Sequence, residues 1–147
     1  MCTLPYLPNG RKILYVSADN QFMQAAQLAA ETMSLDVAHK TGAVVVRNDE
    51  ILGRGANGSH FHTFPGCVRK FLKAKTGTLY WACPGCSPKH HAEPSSLRDA
   101  LRNGHNLEGA DLYLWGHWWC CQGCWQRMIK AGIKNVYLLE GASDKFK

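Results

Sequence analysis

His91-Ala92-Glu93, answered thirty residues later by Cys121-Gln122-Gly123-Cys124, restricts what this chain can fold into more than any other feature. Two thiolates from one Cys-x-x-Cys turn can share an ion, and a histidine from a separate segment completes a tripod. Three protein donors at ~2.0–2.3 Å leave a fourth position open for water, which is the layout of a catalytic zinc rather than a structural one. Glu93, two residues past the histidine, can face that position and carry protons, a job it would lose as a fourth ligand. Any acceptable fold must therefore bring residue 91 and residues 121–124 to one place. Taken singly, the pieces say little: a lone histidine is usually packed or solvated, and a lone Cys-x-x-Cys is often a structural half-site. A carboxylate by itself there is a helix-start residue favoured by the dipole. Their agreement in type, order and spacing points to chemistry.

The 147 residues suffice for one domain with a real core, so 1–147 is read as a single zinc-dependent catalytic domain. No apolar run approaches the ~20 residues that span a bilayer. The start, Met1-Cys2-Thr3-Leu4-Pro5-Tyr6, lacks the basic-then-apolar plan of a signal peptide, so a cytoplasmic location with no membrane partner is expected. Seven cysteines are an odd number, and their grouping into Cys83-Pro84-Gly85-Cys86 and Cys121-Gln122-Gly123-Cys124 favours metal knuckles over disulfides. The formal net charge is +6, with Arg69, Lys70, Lys73 and Lys75 clustered. Such a cluster suits a phosphate-bearing ligand or a nucleic acid, and equally a solvated basic loop.

Along the chain, residues 1–16 read as an arm or docking segment, with periodicity only at Ile13-Leu14-Tyr15-Val16. A helix capped by Ser17 or Asp19 runs to about Ser34, its apolar stripe being Phe22, Ala26, Ala29 and Met33. Thr41 to Val46 reads as a buried strand, turned by Asn48-Asp49 into a hairpin partner at Ile51–Gly55. Residues 56–90 form a long loop rich in Gly, Pro, His and Cys, longer than ordinary connections and so functional, metal-stapled, or both. Pro94 suits the first position of a helix that ends at Asn103-Gly104. A strand at Leu112–Trp115, a helix from Cys121 to Ala131 closed by Gly132, and a strand at Asn135–Leu139 complete an alternating α/β pattern. His91 and Cys121 would then both sit at helix N-termini, where partial positive charge favours thiolates.

These residues resemble the cytidine/deoxycytidylate deaminase superfamily, above all its deoxycytidylate (dCMP) deaminase branch. The likeness runs from about Ala38 to Leu139. Besides the His-x-Glu and Cys-x-x-Cys, Lys40–Val46 resembles the family's first strand, and Gly55-Ala56-Asn57-Gly58 its G-x-N-G segment. Gly66-Cys67-Val68-Arg69 resembles a Cys-x-Arg element, and Ala131-Gly132-Ile133-Lys134-Asn135-Val136 the turn into the fourth strand. The resemblance implies a three-layer α/β/α sandwich around a central mixed sheet, here C-terminally short. It implies a zinc-dependent hydrolase acting on an amidine C–N bond, turning a cytosine nucleotide, dCMP first, into the uracil nucleotide plus ammonia. His91, Cys121 and Cys124 would hold zinc, Glu93 would shuttle protons, and Asn57 would hydrogen-bond the sugar; Asn57-Gly58 is equally a plain turn. A homo-oligomer is expected.

The chain departs from the family in four places. Cys120 stands where the family has proline. The segment Trp115-Gly116-His117-Trp118-Trp119 is longer and more aromatic than usual. Pro94-Ser95-Ser96 replaces an Asn-containing continuation. The last helix and fifth strand of the family are missing, which leaves a sheet edge for a second subunit or the N-terminal arm to cover. Trp118 and Trp119 would stack on a base or pack in a core. Cys67, Cys83 and Cys86, with His90, His60 or His62, would bind a second, structural zinc; otherwise they are free cysteines. The alternatives to dCMP are a base in RNA or single-stranded DNA, a free nucleoside, guanine, or a zinc-binding module without turnover.

Overall fold

The computed structural model of the chain describes residues 7–36, 39–58 and 90–146. Among the described residues nine elements follow in order: β1 (Ile13–Val16), α1 (Gln21–Met33), β2 (Gly42–Arg47), β3 (Glu50–Ala56), α2 (Ala92–Arg102), β4 (Asp111–Trp115), α3 (Gln122–Ala131), β5 (Asn135–Leu139) and α4 (Ala142–Phe146). The strands form one mixed sheet in the order β1-β5-β4-β2-β3. β1, β5 and β4 run parallel, whereas β2 is antiparallel to both β4 and β3.

The hairpin is a local decision of the sequence. Asn48 and Asp49 take φ of 53° and 62°, the left-handed pair that matches the twist of a two-residue hairpin. β2 is buried along nearly its whole length, which is why it reads as an unbroken apolar run rather than an alternating one. Register then shows what covers each side. Gly55 pairs with Ala43 and Gly53 with Val45, so these four share a face, and Gly42 lies on the other. A Cβ on Gly42 would stand 2.1 Å from the Ala26 carbonyl of α1, and one on Gly53 2.4 Å from the Ala100 nitrogen of α2. The two helices therefore press on opposite faces, and α3 lies beside α2. This is the expected α/β/α sandwich. Its core combines Val44, Val45, Leu112, Leu114 and Leu138 of the sheet with Met23, Leu97, Trp125 and Met128 of the helices. Each such side chain contributes about 1.5–3 kcal/mol of burial.

Residues 13–16 of the expected arm or docking segment form strand β1, whose Ile13 to Val16 pair in register with Val136 to Leu139. The edge beside β5 is thus covered by the N-terminal segment, one of the two covers expected. Three expectations are corrected. The first helix is capped by neither Ser17 nor Asp19. Ser17 Oγ accepts the Asp19 N–H in a tight turn, and Asn20 Oδ1 accepts from Phe22 and Met23 at 2.9 and 3.0 Å. Pro94 occupies the third, not the first, position of α2, where its missing N–H is still harmless. Met33, placed on the apolar stripe of α1, is in fact exposed. The far edge, β3, is blunted by α2: the Arg54 N–H donates to Asp99 Oδ2 at 2.9 Å, and Asn103 Nδ2 donates to the Leu52 carbonyl at 3.2 Å.

Candidate active site and metal centre

His91 is the N-cap of α2 and Cys121 the N-cap of α3, with nearly identical backbone angles (φ −75°, ψ 162° and φ −73°, ψ 163°). Ser, Thr, Asp or Asn usually fills this position because its oxygen satisfies a free helix N–H, worth about 1 kcal/mol. Neither His91 nor Cys121 makes such a bond. Both side chains turn toward each other instead. Cys121 Sγ and Cys124 Sγ are 3.2 Å apart, and His91 Nδ1 lies 3.5 Å from the first and 3.3 Å from the second. A tetrahedral ion holding donors at ~2.0–2.3 Å needs edges of about 3.3–3.8 Å; the two sulfur–nitrogen edges fall in that range, the sulfur pair stands slightly closer than it, and the donor type suits zinc.

The local electrostatics suit a cation. The two thiols share a proton: the hydrogen bond from Cys124 brings Cys121 down to about 4, while burial holds Cys124 well above the ordinary thiol range. The positive ends of two helices add to the stabilisation of thiolate. Glu93 sits in the first turn of α2, 5% exposed, hydrogen-bonded to Cys124. Burial raises its pKa, Cys121 adds to the rise, and His91 opposes it. Such a carboxyl takes a proton more readily than one in water. Ser96 Oγ, fully buried, donates to the Glu93 carbonyl at 2.7 Å and steadies that turn.

Asn57 is brought near the site but is heavily committed. Its Oδ1 accepts from Ser34 Oγ at 2.6 Å and from the Thr41 N–H at 2.9 Å, and its Nδ2 donates to the His39 carbonyl at 2.7 Å. It ties the end of α1 to the start of β2. The next residue, Gly58, donates its N–H to the His90 carbonyl at 2.9 Å, directly before His91. Among these contacts one Nδ2 hydrogen of Asn57 is uncommitted.

His117 is the residue that sequence reasoning passed over. Its Nδ1 accepts the N–H groups of Trp118 and Trp119 at 2.9 and 3.1 Å, which leaves its proton on Nε2. Burial first, and then the charge of His91, lower its pKa to about 4, so the ring is a neutral, oriented donor near the metal triangle. Only a lone histidine in an aromatic loop signalled it. Trp119 is buried at 4% exposure and belongs to the core, while Trp118 is half-buried against it. Cys120 is fully buried, with its thiol pushed up by that burial, which sets it apart from the Cys121–Cys124 pair. Cys67, Cys83 and Cys86, with His60 and His62, lie outside the described residues; His90 is described through the bond from Gly58.

A thiolate pair, a histidine and a buried carboxyl on two helix N-termini define the class of zinc-dependent deaminases. Residues 16–140 match the cytidine and deoxycytidylate deaminase zinc-binding region, and the chain belongs to that family. It is 31% identical over 121 residues to the ComE operon protein 2 of Bacillus subtilis (strain 168), covering 82% of this chain and 59% of that protein. The chain thus spans little more than half the length of this relative. The dCMP deaminase of cyanophage S-TIM5 in its apo form superimposes with a TM-score of 0.53 at 25% identity, over 85% of this chain and 86% of the phage chain. Its complex with dCMP and dUMP superimposes with a TM-score of 0.56 at 24% identity, covering 84% and 85%, and shares the fold. No helix among the described residues is long and apolar enough to cross a membrane.

Proposed function

We propose that this chain is a zinc-dependent hydrolytic deaminase that converts a free cytosine nucleotide, dCMP first, to the uracil nucleotide and ammonia. The observation that carries this reading is the Glu93 carboxyl buried beside the His91–Cys121–Cys124 triangle. Zinc, when bound, supplies a Lewis acid that brings the pKa of water toward ~7. Glu93 does the proton work. It takes the proton of the attacking water and passes it to the ring nitrogen beside the amine-bearing carbon; it then takes the proton of the newly formed hydroxyl and delivers it to the amine, which leaves as ammonia as the carbonyl forms. Burial and the first-turn position hold its carboxyl at one spot throughout. The likeness to the cyanophage dCMP deaminase supports a mononucleotide substrate. On this reading the uncommitted Asn57 N–H donates to the sugar and His117 Nε2–H stands ready for an acceptor on the substrate. The substrate side is a small molecule, and assembly into a homo-oligomer belongs to the same reading.

Ammonia release from dCMP by purified, zinc-loaded protein, with Glu93→Ala in parallel, is the test. Turnover that the variant loses supports the whole assignment. A folded, metallated protein with no turnover on dCMP overturns the mononucleotide reading and moves the search to a polymeric base, a nucleoside or guanine.

A further inference from the structure

The outer surface formed by α2 and α3 carries a surplus of positive charge, with Glu108, beside Gly132 at the end of α3, as a neighbouring carboxylate. Arg98 and Arg102 are one helical turn apart on α2, Arg127 and Lys130 one turn apart on α3, and all four are exposed. The two helices pack side by side, and Arg98 feels the charges of both Arg127 and Arg102. Carboxylates are scarce here. α3 has none, and of the two on α2, Glu93 is buried while Asp99 accepts the Arg54 N–H at the sheet edge. None of the four cations forms an ion pair among the described residues; Arg127 reaches only the Gly123 carbonyl of its own helix, at 3.4 Å. Exposed Leu101 and Ile129 lie on the same two helices.

Like charges gathered on adjacent helices repel one another, and a bound polyanion would relieve that repulsion. Three of the four are arginines, whose flat forked guanidinium matches phosphate oxygens in pairs. The patch begins about 8–9 Å from the metal-facing helix ends, at 1.5 Å per residue, and extends away from them. It is therefore separate from the space where a mononucleotide would react.

From this placement we infer that the α2/α3 surface, through Arg98, Arg102, Arg127 and Lys130, is a docking site for the phosphate backbone of a nucleic-acid strand. The contacts address phosphates and not bases, so binding is insensitive to sequence and steeply dependent on salt. The inference does not rest on which base is deaminated.

The probe is a fluorescein-labelled oligodeoxythymidylate of about 20 nucleotides, titrated with the zinc-loaded protein by fluorescence anisotropy between about 50 and 200 mM salt. The combined variant Arg98→Gln/Arg102→Gln/Arg127→Gln should weaken binding and make the log K against log [salt] slope shallower by about 2, near 0.7 for each lost phosphate contact. Lys12→Gln/Lys145→Gln, which removes charge from β1's flank and from α4, should leave the slope close to wild type. Turnover on dCMP and Tm should be unchanged in both variants, because all these residues are exposed. No binding by the wild type at the lowest salt would overturn the inference, as would an unchanged slope in the triple variant or an equal loss in the lysine control. Equal affinity for labelled polyglutamate would assign the surface to an acidic polypeptide instead.

Discussion

Gly55→Ala asks whether the sheet positions the catalytic helix. A Cβ on Gly55 would stand 2.3 Å from the Ser96 nitrogen, 2.6 Å from the Ser95 carbonyl carbon and 2.7 Å from Ser95 Cβ. Two of these are backbone atoms of α2, so no rotamer change relieves them. Reaching ordinary contact near 3.4 Å pushes the first turn of α2 off the sheet by about 1 Å. Overpacking of this kind costs about 1–3 kcal/mol, or a Tm lower by roughly 3–10 °C in a chain of this size. The site suffers more than the fold. Ser96 holds the Glu93 carbonyl at 2.7 Å, and His91 caps the same helix, so both shift with it. A misplacement of about 1 Å at reacting groups costs ~10²-fold in rate. The assays are thermal unfolding, bound zinc per chain and kcat, with Gly109→Ala as the control. Gly109 has φ +76° and open space around it, so alanine there strains the backbone without moving α2. The control should lose stability and keep kcat per bound zinc. A Gly55→Ala protein that also kept kcat per bound zinc would refute the coupling between β3 and the site.

Three other outcomes follow from the geometry. Glu93→Gln should keep wild-type zinc content, measured by elemental analysis, and lose ~10²–10⁴-fold in ammonia release; activity within tenfold of wild type would remove Glu93 from the proton path. Cys124→Ala should lose both zinc and thermal stability, and treating the wild type with a chelator should lower Tm in a way that added zinc restores, since binding the folded state stabilises it. His117, lowered from 6.5 to about 4, is neutral in the fold, whereas the unfolded chain takes up the proton at higher pH. Its contribution is complete above pH 6.5 and is lost as pH falls through 6.5 toward 4, up to about 3 kcal/mol. Urea unfolding of His117→Asn, which retains an acceptor for the Trp118 and Trp119 N–H groups, should show a flatter profile across that window; a profile parallel to wild type would assign the dependence elsewhere.

What the sequence made legible was local. Asn135–Leu139 and the Asn48-Asp49 hairpin could be read because β-branched residues and turn chemistry act between neighbours. The pairing of Ile13–Val16 with Val136–Leu139 could not, since four apolar residues set no parallel register across a separation of 123 positions. The cap of α1 was misplaced because Ser17, Asp19 and Asn20 all have the right chemistry, and only the turn closed by Ser17 decides among them. Nothing local in the sequence marks Gly53 and Gly55 as the places where a helix dozens of residues later approaches the sheet. In the candidate site, the gathering of His91, Cys121 and Cys124 with Glu93 beside them was legible because donor chemistry demands fixed types and spacings. His117 was not, because its neutrality and tautomer come from burial and two backbone N–H groups that only the folded loop supplies.

The two helices of the site also differ from α1, which lies outside it, in a way that links stability to chemistry. α1 takes no part in the triangle and has a fully used Asn20 cap. α2 and α3 begin at His91 and Cys121 with no side-chain cap at all, forgoing about 1 kcal/mol each. Structural zinc is worth about 10–16 kcal/mol in zinc-finger peptides, and a fraction of that exceeds two caps. On the proposed reading, a bound ion would fix the helix starts that capping oxygens would otherwise secure, and with them the turn that carries Glu93. Metal-free protein should accordingly fray first at residues 91–95 and 121–125, which faster amide hydrogen exchange there than in the first turn of α1 would register.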